Sequence, residues 1–328
     1  MGDAPVLQNS SPAQKTRSST TKRTGEKGNQ MERATESEGM HYEGNCIRPP
    51  PEASSILLQV TLGCSHNKCT FCGTYKDKRF RIKDNDVILS DIRFASKYMK
   101  RQDRLFLMDG DALIIPQERL MWIFGKIKEH LPWVNRVGAY ANTKSISSKS
   151  IQELTELREN GLGMLYLGVE TGDDEVRKKI NKGASARHCL EMGKRVKNAG
   201  IELTVTVLLG IAGKEKSLDH ARATGELISA IDPDYASALT VILIPGTPLW
   251  EEYVAGDFEL PDERGLLIEM KEMITHTDLS GGLFSSSHAS NYLPVRVRLP
   301  EGKEEILDLI DAALKGDIPL KPEWMRAF

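Results

Sequence analysis

The chain has 328 residues, of which 40% are hydrophobic and 27% charged, a composition typical of a globular protein with one large or two average domains. The formal net charge of −2 gives no overall attraction for nucleic acid or an anionic membrane, and no apolar run approaches the roughly 20 residues of a membrane-spanning helix. No signal-peptide pattern opens the sequence, so we expect a cytoplasmic protein with reduced thiols, in which clustered cysteines bind metal or react more often than they form disulfides.

Residues 1–48 are rich in Ser, Thr, Lys, Glu and Gly and contain few large apolar side chains. Such a segment cannot bury enough surface to offset its loss of conformational entropy, so the composition predicts a disordered tail. A basic arm that binds nucleic acid is the alternative, but the glutamates between residues 26 and 38 dilute its charge.

From residue 49 to residue 250 the pattern becomes regular, since short aliphatic runs alternate with amphipathic stretches. Candidate strands lie at 56–61, 104–108, 137–141, 164–169, 202–209 and 235–243. Candidate helices lie near 86–100, 117–130, 148–160, 184–199 and 215–230. The alternation predicts the α/β class, with parallel strands in a partial (β/α)6 TIM-like barrel. A helix-rich C-terminal extension follows at 251–328, with a helix near 303–315, and we expect it to cover the substrate side.

Function in parallel α/β folds collects on the loops after the carboxyl ends of strands. The loop after the first predicted strand carries Cys64, Cys69 and Cys72 in the pattern Cys-x4-Cys-x2-Cys. Three thiolates on one loop can bind three irons of a [4Fe–4S] cluster and leave the fourth iron open. A zinc site that includes His66 is the alternative, although no second cysteine pair is present to complete it.

This loop resembles that of the radical S-adenosylmethionine (SAM) enzymes, whose usual spacing is Cys-x3-Cys-x-aromatic-Cys. The chain keeps the aromatic residue, Phe71, directly before Cys72, but it has four residues between the first two cysteines. The resemblance implies a partial barrel, one [4Fe–4S] cluster and SAM as cofactor. It also places Phe71 against the adenine of SAM, whereas a core aromatic that anchors the loop is the alternative.

The second predicted strand ends in Asp109, Gly110 and Asp111. This acidic turn resembles the family's Gly-Gly-Glu motif, although Asp replaces Glu and the leading Gly is absent. The resemblance implies that the turn binds the amino group of SAM. The residue types fit this role, because carboxylates accept hydrogen bonds from an ammonium and glycine lets the backbone approach closely.

The fourth predicted strand runs into Leu-Gly-Val-Glu-Thr-Gly at 167–172, the stretch most similar to the family. It is most like the subgroup of oxygen-independent coproporphyrinogen oxidases and tRNA methylthiotransferases. The resemblance implies that Glu170 contacts the ribose or methionine part of SAM, Arg195 its carboxylate, and the backbone at Gly210 and Ile242 its adenine. A helix N-terminal acid, a solvated helix charge and a plain turn are the alternatives for Glu170, Arg195 and Gly210.

The implied function is reductive cleavage of SAM to a 5′-deoxyadenosyl radical that abstracts hydrogen from an organic substrate. A small-molecule substrate and an electron donor such as flavodoxin or ferredoxin are the expected partners, without nucleic acid or membrane. His288 and Tyr292, in a polar stretch of the extension, are candidates for relaying a proton or positioning a polar group, with a capped surface turn as the alternative. A non-catalytic carrier of a cluster or haem on the same scaffold is the alternative function.

Overall fold

A computed structural model of the protein describes residues 39–327. The strands in this range are β1 (Ile56–Gln59), β2 (Thr61–Leu62), β3 (Arg81–Ile82), β4 (Arg104–Met108), β5 (Arg136–Ala141), β6 (Leu162–Glu170), β7 (Glu202–Leu209), β8 (Tyr235–Thr240), β9 (Leu283–Ser285) and β10 (Arg296–Arg298). The α-helices are α1 (Asn85–Tyr98), α2 (Gln117–His130), α3 (Thr143–Ser147), α4 (Ile151–Glu159), α5 (Asp174–Lys179), α6 (Ala186–Asn198), α7 (Ser217–Ile231), α8 (Pro248–Ala255), α9 (Glu263–Thr275) and α10 (Lys303–Lys315).

Eight strands form one sheet, in the order β1-β4-β5-β6-β7-β8-β9-β10. Neighbours from β1 to β9 run parallel, and β10 runs antiparallel to β9. Because β1 and β10 are the two edges, the barrel does not close within residues 39–327. The predicted α/β partial barrel is confirmed, and the C-terminal extension adds β9 and β10 beyond the six predicted strands.

Successive residues of a strand face opposite sides of the sheet, and the two sides carry different side chains. The side packed against the helices is aliphatic and forms the main core, as the buried Leu58, Leu105, Leu165 and Val205 illustrate. The other side is aromatic and sulfur-containing, with Phe106, Met108, Met164 and Tyr166 buried. Both sides of the sheet are thus packed along the length of the strands, which leaves the carboxyl ends of the strands as the place for polar side chains.

Most predicted elements are observed, and four of them, α2, α10, β4 and β7, begin and end at the predicted residues. The short helix α3 is not predicted, and the predicted helix 148–160 corresponds to α4, which begins later, at Ile151. Ser150 is the reason, because its extended backbone and side-chain oxygen cap the first turn of α4, where the oxygen accepts the N–H of Glu153. The predicted strand 56–61 is divided into β1 and β2, because Thr61 pairs with Ile82 of β3 rather than continuing along β4.

Most of the predicted tail, 1–48, lies outside the described residues. Its last part lies against the barrel: His41 Nδ1 is 2.6 Å from the buried carboxylate of Asp91, and the Tyr42 hydroxyl donates to the carbonyl of Leu57 at 2.8 Å. In the described range, none of the helices combines the length and the apolar character that crossing a membrane requires.

Candidate functional site

The three clustered cysteines lie on a loop between β2 and β3, which pair antiparallel and close its base. Cys64, Cys69 and Cys72 are free thiols, and each is partly exposed. Asn67 adopts a left-handed backbone, with φ of 43°, and its side-chain amide donates to the carbonyl of Tyr75 at 2.6 Å. This contact across the loop holds the segment that carries the cysteines in a compact turn.

The turn after α5 fastens the cysteine loop through hydrogen bonds to its backbone. The Thr70 N–H donates to the carbonyl of Ile180 at 3.0 Å, and the Asn181 amide donates to the carbonyl of Lys68 at 3.2 Å. His66 Nε2 lies 2.7 Å from the carbonyl of Asn181, to which it donates. One ring nitrogen of His66 is thus committed to holding the loop rather than to a metal.

The acidic turn at the end of β4 lies directly beneath the first cysteine. Asp109 Oδ2 accepts the Gly63 N–H at 2.8 Å, and the Gly110 N–H donates to the Gly63 carbonyl at 3.1 Å. A Cβ at Gly110 would lie only 2.7 Å from Cys64 Cβ. Glycine is therefore required at this position for the turn and the cysteine loop to pack together.

Both carboxylates of this turn are buried, and each has one oxygen without a partner. Asp111 Oδ2 accepts from Ser65 Oγ and, at 2.8 Å, from Asn142 Nδ2, but Oδ1 of Asp109 and Oδ1 of Asp111 make no hydrogen bond within the described residues. Burial raises the pKa of Asp111 to about 6, against the hydrogen bonds that lower it. Burial also raises the pKa of Asp109, partly offset by the Gly63 N–H. Such orphaned oxygens are rare in folded proteins and mark a place for a ligand donor.

Glu170 ends β6 and forms an ion pair that sequence reasoning missed. Lys182 Nζ lies 2.7 Å from Glu170 Oε1, and both side chains are largely buried. A Cβ at Gly168 would lie 2.4 Å from that carboxylate oxygen and 3.1 Å from the ammonium, so the glycine makes room for the pair. Burial alone would lower the pKa of Lys182, but Glu170 and Cys69 together raise it above its ordinary value.

Glu170 and Asp109 share an unusual backbone. Their φ angles are 65° and 72°, a region that residues other than glycine seldom adopt. Both stand at the carboxyl end of a parallel strand, and the register of β6 against β7 shifts next to Glu170. Strained backbone of this kind clusters at functional sites, where it sets the direction of a side chain.

A small cavity of about 40 Å³ separates the cysteine loop from the ends of β7 and β8. It is lined by one face of the cysteine loop, the two strand ends and the C-terminal extension, through Phe71, Cys72, Leu208, Leu239, Thr240, Val241, Ile242, His288 and Ser290. Three residues that the sequence singled out separately, Phe71, Ile242 and His288, are thus brought to one cavity.

The remaining predicted residues make other contacts. Arg195, on α6, donates to the carbonyl of Lys149 at 3.0 Å. Tyr292 packs its ring under the guanidinium of Arg326, whose Nη1 donates to the Tyr292 hydroxyl at 2.7 Å. Gly210 donates its N–H to Oε1 of Glu269 at 2.7 Å. These partners come from distant parts of the chain, so no local sequence signal identifies them.

Glu269 belongs to a buried polar network that joins two strand ends. Its second oxygen accepts from Ser217 Oγ at 2.5 Å, and its first lies 3.4 Å from Nε2 of His220. The other ring nitrogen of His220 is 2.7 Å from the hydroxyl of Thr171, which follows Glu170. Helix α9 of the extension therefore helps to fix the turns after both β6 and β7.

A single metal ion and an iron–sulfur cluster place different demands on the donor side chains. Within residues 39–327, no three His, Cys, Asp or Glu side chains surround one point that could hold an ion. A [4Fe–4S] cluster makes a different demand, because each of its three thiolates binds a different iron. The cysteine loop offers that number of thiols.

Comparison with known proteins gives a consistent result. The family model described as the radical SAM superfamily matches residues 58–222. An uncharacterized protein of Methanocaldococcus jannaschii is 22% identical, over 79% of this chain and 84% of the relative. The heme chaperone HemW of Bacillus subtilis is also 22% identical, over 61% of this chain and 52% of its own length.

Among solved structures, the Escherichia coli coproporphyrinogen III oxidase HemN superposes with a TM-score of 0.50 and 14% identity. The superposition covers 67% of this chain and 51% of HemN. At this identity the likeness concerns the fold alone. This chain spans about half the length of HemN and of HemW.

Proposed function

Because the chain belongs to the radical SAM superfamily, we propose that it cleaves SAM at the mouth of its barrel and acts on a small organic substrate. Membership makes the protein a radical SAM enzyme, with a [4Fe–4S] cluster and SAM as its cofactors. When bound, these cofactors supply one electron and a 5′-deoxyadenosyl radical, which abstracts a hydrogen atom from the substrate. The protein's own part is to hold them, orient them and exclude water and oxygen.

Cys64, Cys69 and Cys72 are the proposed ligands of the cluster. Their loop is fastened by the turn after α5, and Thr70 is held from a second side because its carbonyl accepts the Leu249 N–H at 3.1 Å. A loop held in this way presents its thiols before the cluster arrives, which lowers the conformational cost of binding.

The observation that carries the proposal is the pair of orphaned oxygens on Asp109 and Asp111. Two buried carboxylates with an unpartnered oxygen each are costly unless a ligand supplies donors. An ammonium group carries three donors and a positive charge, and the amino group of SAM is such a group. Since Gly110 packs against Cys64, an ammonium bound at this turn would lie next to the proposed cluster.

Glu170 and the small cavity provide the rest of the proposed SAM site. The carboxylate of Glu170, oriented by Lys182, is the proposed partner of a ribose hydroxyl. Phe71 and Ile242 line the cavity and offer apolar contact to a planar base, while Gly210 supports the neighbouring strand end. Arg195 stays a prediction for the SAM carboxylate.

The direct test is anaerobic reconstitution followed by addition of SAM and dithionite. We expect about four irons per chain and the formation of 5′-deoxyadenosine, with both lost in Cys69→Ala. Cys46→Ala is the matched control, because Cys46 lies outside the loop and should leave both unchanged. Zinc in place of iron after anaerobic growth, or iron binding that survives Cys69→Ala, would contradict the proposal.

A second candidate function, the carriage of haem or a cluster without turnover, has one specific observation in its favour. One relative of this chain is a heme chaperone, at 22% identity over 61% of this chain. The two functions differ in outcome: a carrier should bind haem stoichiometrically in an absorbance titration and release no 5′-deoxyadenosine. Release of 5′-deoxyadenosine with no saturable haem binding would decide for the enzyme.

A further inference from the structure

His288 reaches the cavity from the C-terminal extension, and its loop is tied to the end of β8. The Thr240 N–H donates to Ser290 Oγ at 3.1 Å. The Thr240 hydroxyl donates to Oδ1 of Asn291 at 2.9 Å, and the Asn291 amide donates to the carbonyl of Ala238 at 2.8 Å. The imidazole is therefore held beside Phe71 and Cys72 by a fixed piece of backbone rather than by a free surface loop.

The contacts of the ring determine which nitrogen carries the proton. Nδ1 of His288 lies 3.2 Å from the Ser290 N–H and 2.9 Å from Ser290 Oγ. A backbone N–H can only donate, so Nδ1 must accept, and a neutral ring then carries its hydrogen on Nε2. Burial, with a smaller effect of Lys321, lowers the pKa of His288, which favours that neutral form.

Nε2 of His288 has no hydrogen-bond partner among residues 39–327, whereas Nδ1 is fully engaged. Nε2 is thus the one ring donor that His288 has left, and His288 lines a cavity whose other walls are mainly apolar side chains. An occupant that fits this combination has a flat apolar face and an acceptor nitrogen at its edge. The adenine ring has both, because N1, N3 and N7 are acceptors on a planar aromatic base.

We propose that His288 donates its Nε2–H to a ring nitrogen of the adenine of SAM, so that the C-terminal extension supplies a residue to the nucleotide-binding site. This inference rests on the proposed function, since it places SAM next to Cys72. It assigns His288 to cofactor recognition rather than to proton relay on the substrate.

The test is a comparison of SAM affinity in the anaerobically reconstituted protein by isothermal titration calorimetry. His288→Phe keeps a ring of similar size but loses the donor, and it should weaken binding by about 3- to 10-fold, the value of one hydrogen bond. His288→Gln can place an amide N–H near Nε2 and should recover most of the affinity. Ser287→Ala is the matched control, because Ser287 is an exposed neighbour outside the cavity lining, and it should bind SAM as the wild type does.

A second measurement uses the wild-type protein with 1-deaza, 3-deaza and 7-deaza analogues of SAM. One analogue should bind the wild type more weakly than SAM does, by the same factor by which His288→Phe weakens SAM binding. His288→Phe should bind that analogue and SAM equally, because the hydrogen bond is already absent in the variant. Equal binding of SAM by wild type and His288→Phe, or no coupling to any analogue, would overturn the inference alone. Wild-type protein that binds neither cluster nor SAM would overturn the proposed function as well.

Discussion

The Lys182 ammonium lies 2.7 Å from the Glu170 carboxylate, at the end of β6 and beside the cysteine loop. The pair is placed by two separate features of the chain. Gly168 leaves space for both side chains, and the turn after α5 brings Lys182 toward Cys69 when it binds the loop backbone. The ammonium of Lys182 therefore interacts electrostatically with both Glu170 and Cys69, a proposed cluster ligand.

Replacement of Lys182 by Gln should affect both partners. Glu170 would remain as a largely buried carboxylate without a counter-charge, so we expect a loss of about 2–4 kcal/mol in the free energy of unfolding of the metal-free protein, measured with urea. Loss of the positive charge beside Cys69 should also lower the reduction potential of the reconstituted cluster, followed by EPR. The double variant E170Q/K182Q should recover stability and part of the potential, because it also removes the opposing charge of Glu170. Lys178→Gln, at an exposed position, should change neither.

The contact between the acidic turn and the first cysteine can be tested by adding one methyl group. In Gly110→Ala the new Cβ would lie 2.7 Å from Cys64 Cβ and 3.1 Å from Cys64 Cα, so the loop must move. We expect reconstituted iron to fall by more than half, measured per folded chain. Gly125→Ala on α2 meets nothing within 4 Å and should keep full iron content, with a small gain in stability from the helix propensity of alanine.

The raised pKa of Asp111 predicts a pH dependence of stability. Its pKa rises from 3.8, the ordinary value of an aspartate, to about 6 in the fold, so between these values the native state binds a proton that the unfolded state has released. The free energy of unfolding should therefore decrease from pH 4 to pH 6, by about 2 kcal/mol for this group. The difference between wild type and Asp111→Asn, measured by urea unfolding at each pH, isolates the contribution; a difference that does not vary with pH would contradict it.

The buried network around Glu269 should support the site from a distance. In Glu269→Gln one side-chain oxygen becomes an NH₂ group, which must face the Gly210 N–H or the Ser217 hydroxyl. We expect a loss of about 1–3 kcal/mol in the free energy of unfolding, because a buried donor loses its acceptor. Glu263→Gln, exposed on the same helix, should change stability by less than about 0.5 kcal/mol.

The sequence predicted the parts of the fold that depend on local pattern. Helix α2 and strand β7 were predicted to the residue, because each is a regular run of apolar positions with clear ends. The start of α4 is predicted three residues too early, since Ser150 can stand within a helix or cap one, and packing decides between them. Helix α9 is amphipathic, but it is not among the predicted helices, because it lies in a stretch that carries no functional motif.

For the candidate site, residues at strand ends were predictable by position, whereas their partners were not. The sequence indicated Cys64, Asp109 and Glu170, because each follows a strand that ends at the same edge of the sheet. The sequence does not indicate Lys182 or Glu269. Lys182 acquires its role by pairing with Glu170, and Glu269 by accepting the N–H of Gly210, and both contacts form only in the fold. Lys182 follows two other lysines within four residues, and nothing in the local sequence indicates that it is the one whose side chain is largely buried.

The left-handed turn at Asn67 has a consequence for how the protein matures. The Asn67 side chain and the β2–β3 pairing close the cysteine loop by contacts within residues 61–82 alone, while Ile180 and Leu249 hold it from the rest of the fold. The proposed cluster-binding loop is thus held on all sides only after a segment more than a hundred residues downstream has packed against it. Cluster insertion should be a late event in biogenesis, following the folding of the barrel rather than guiding it.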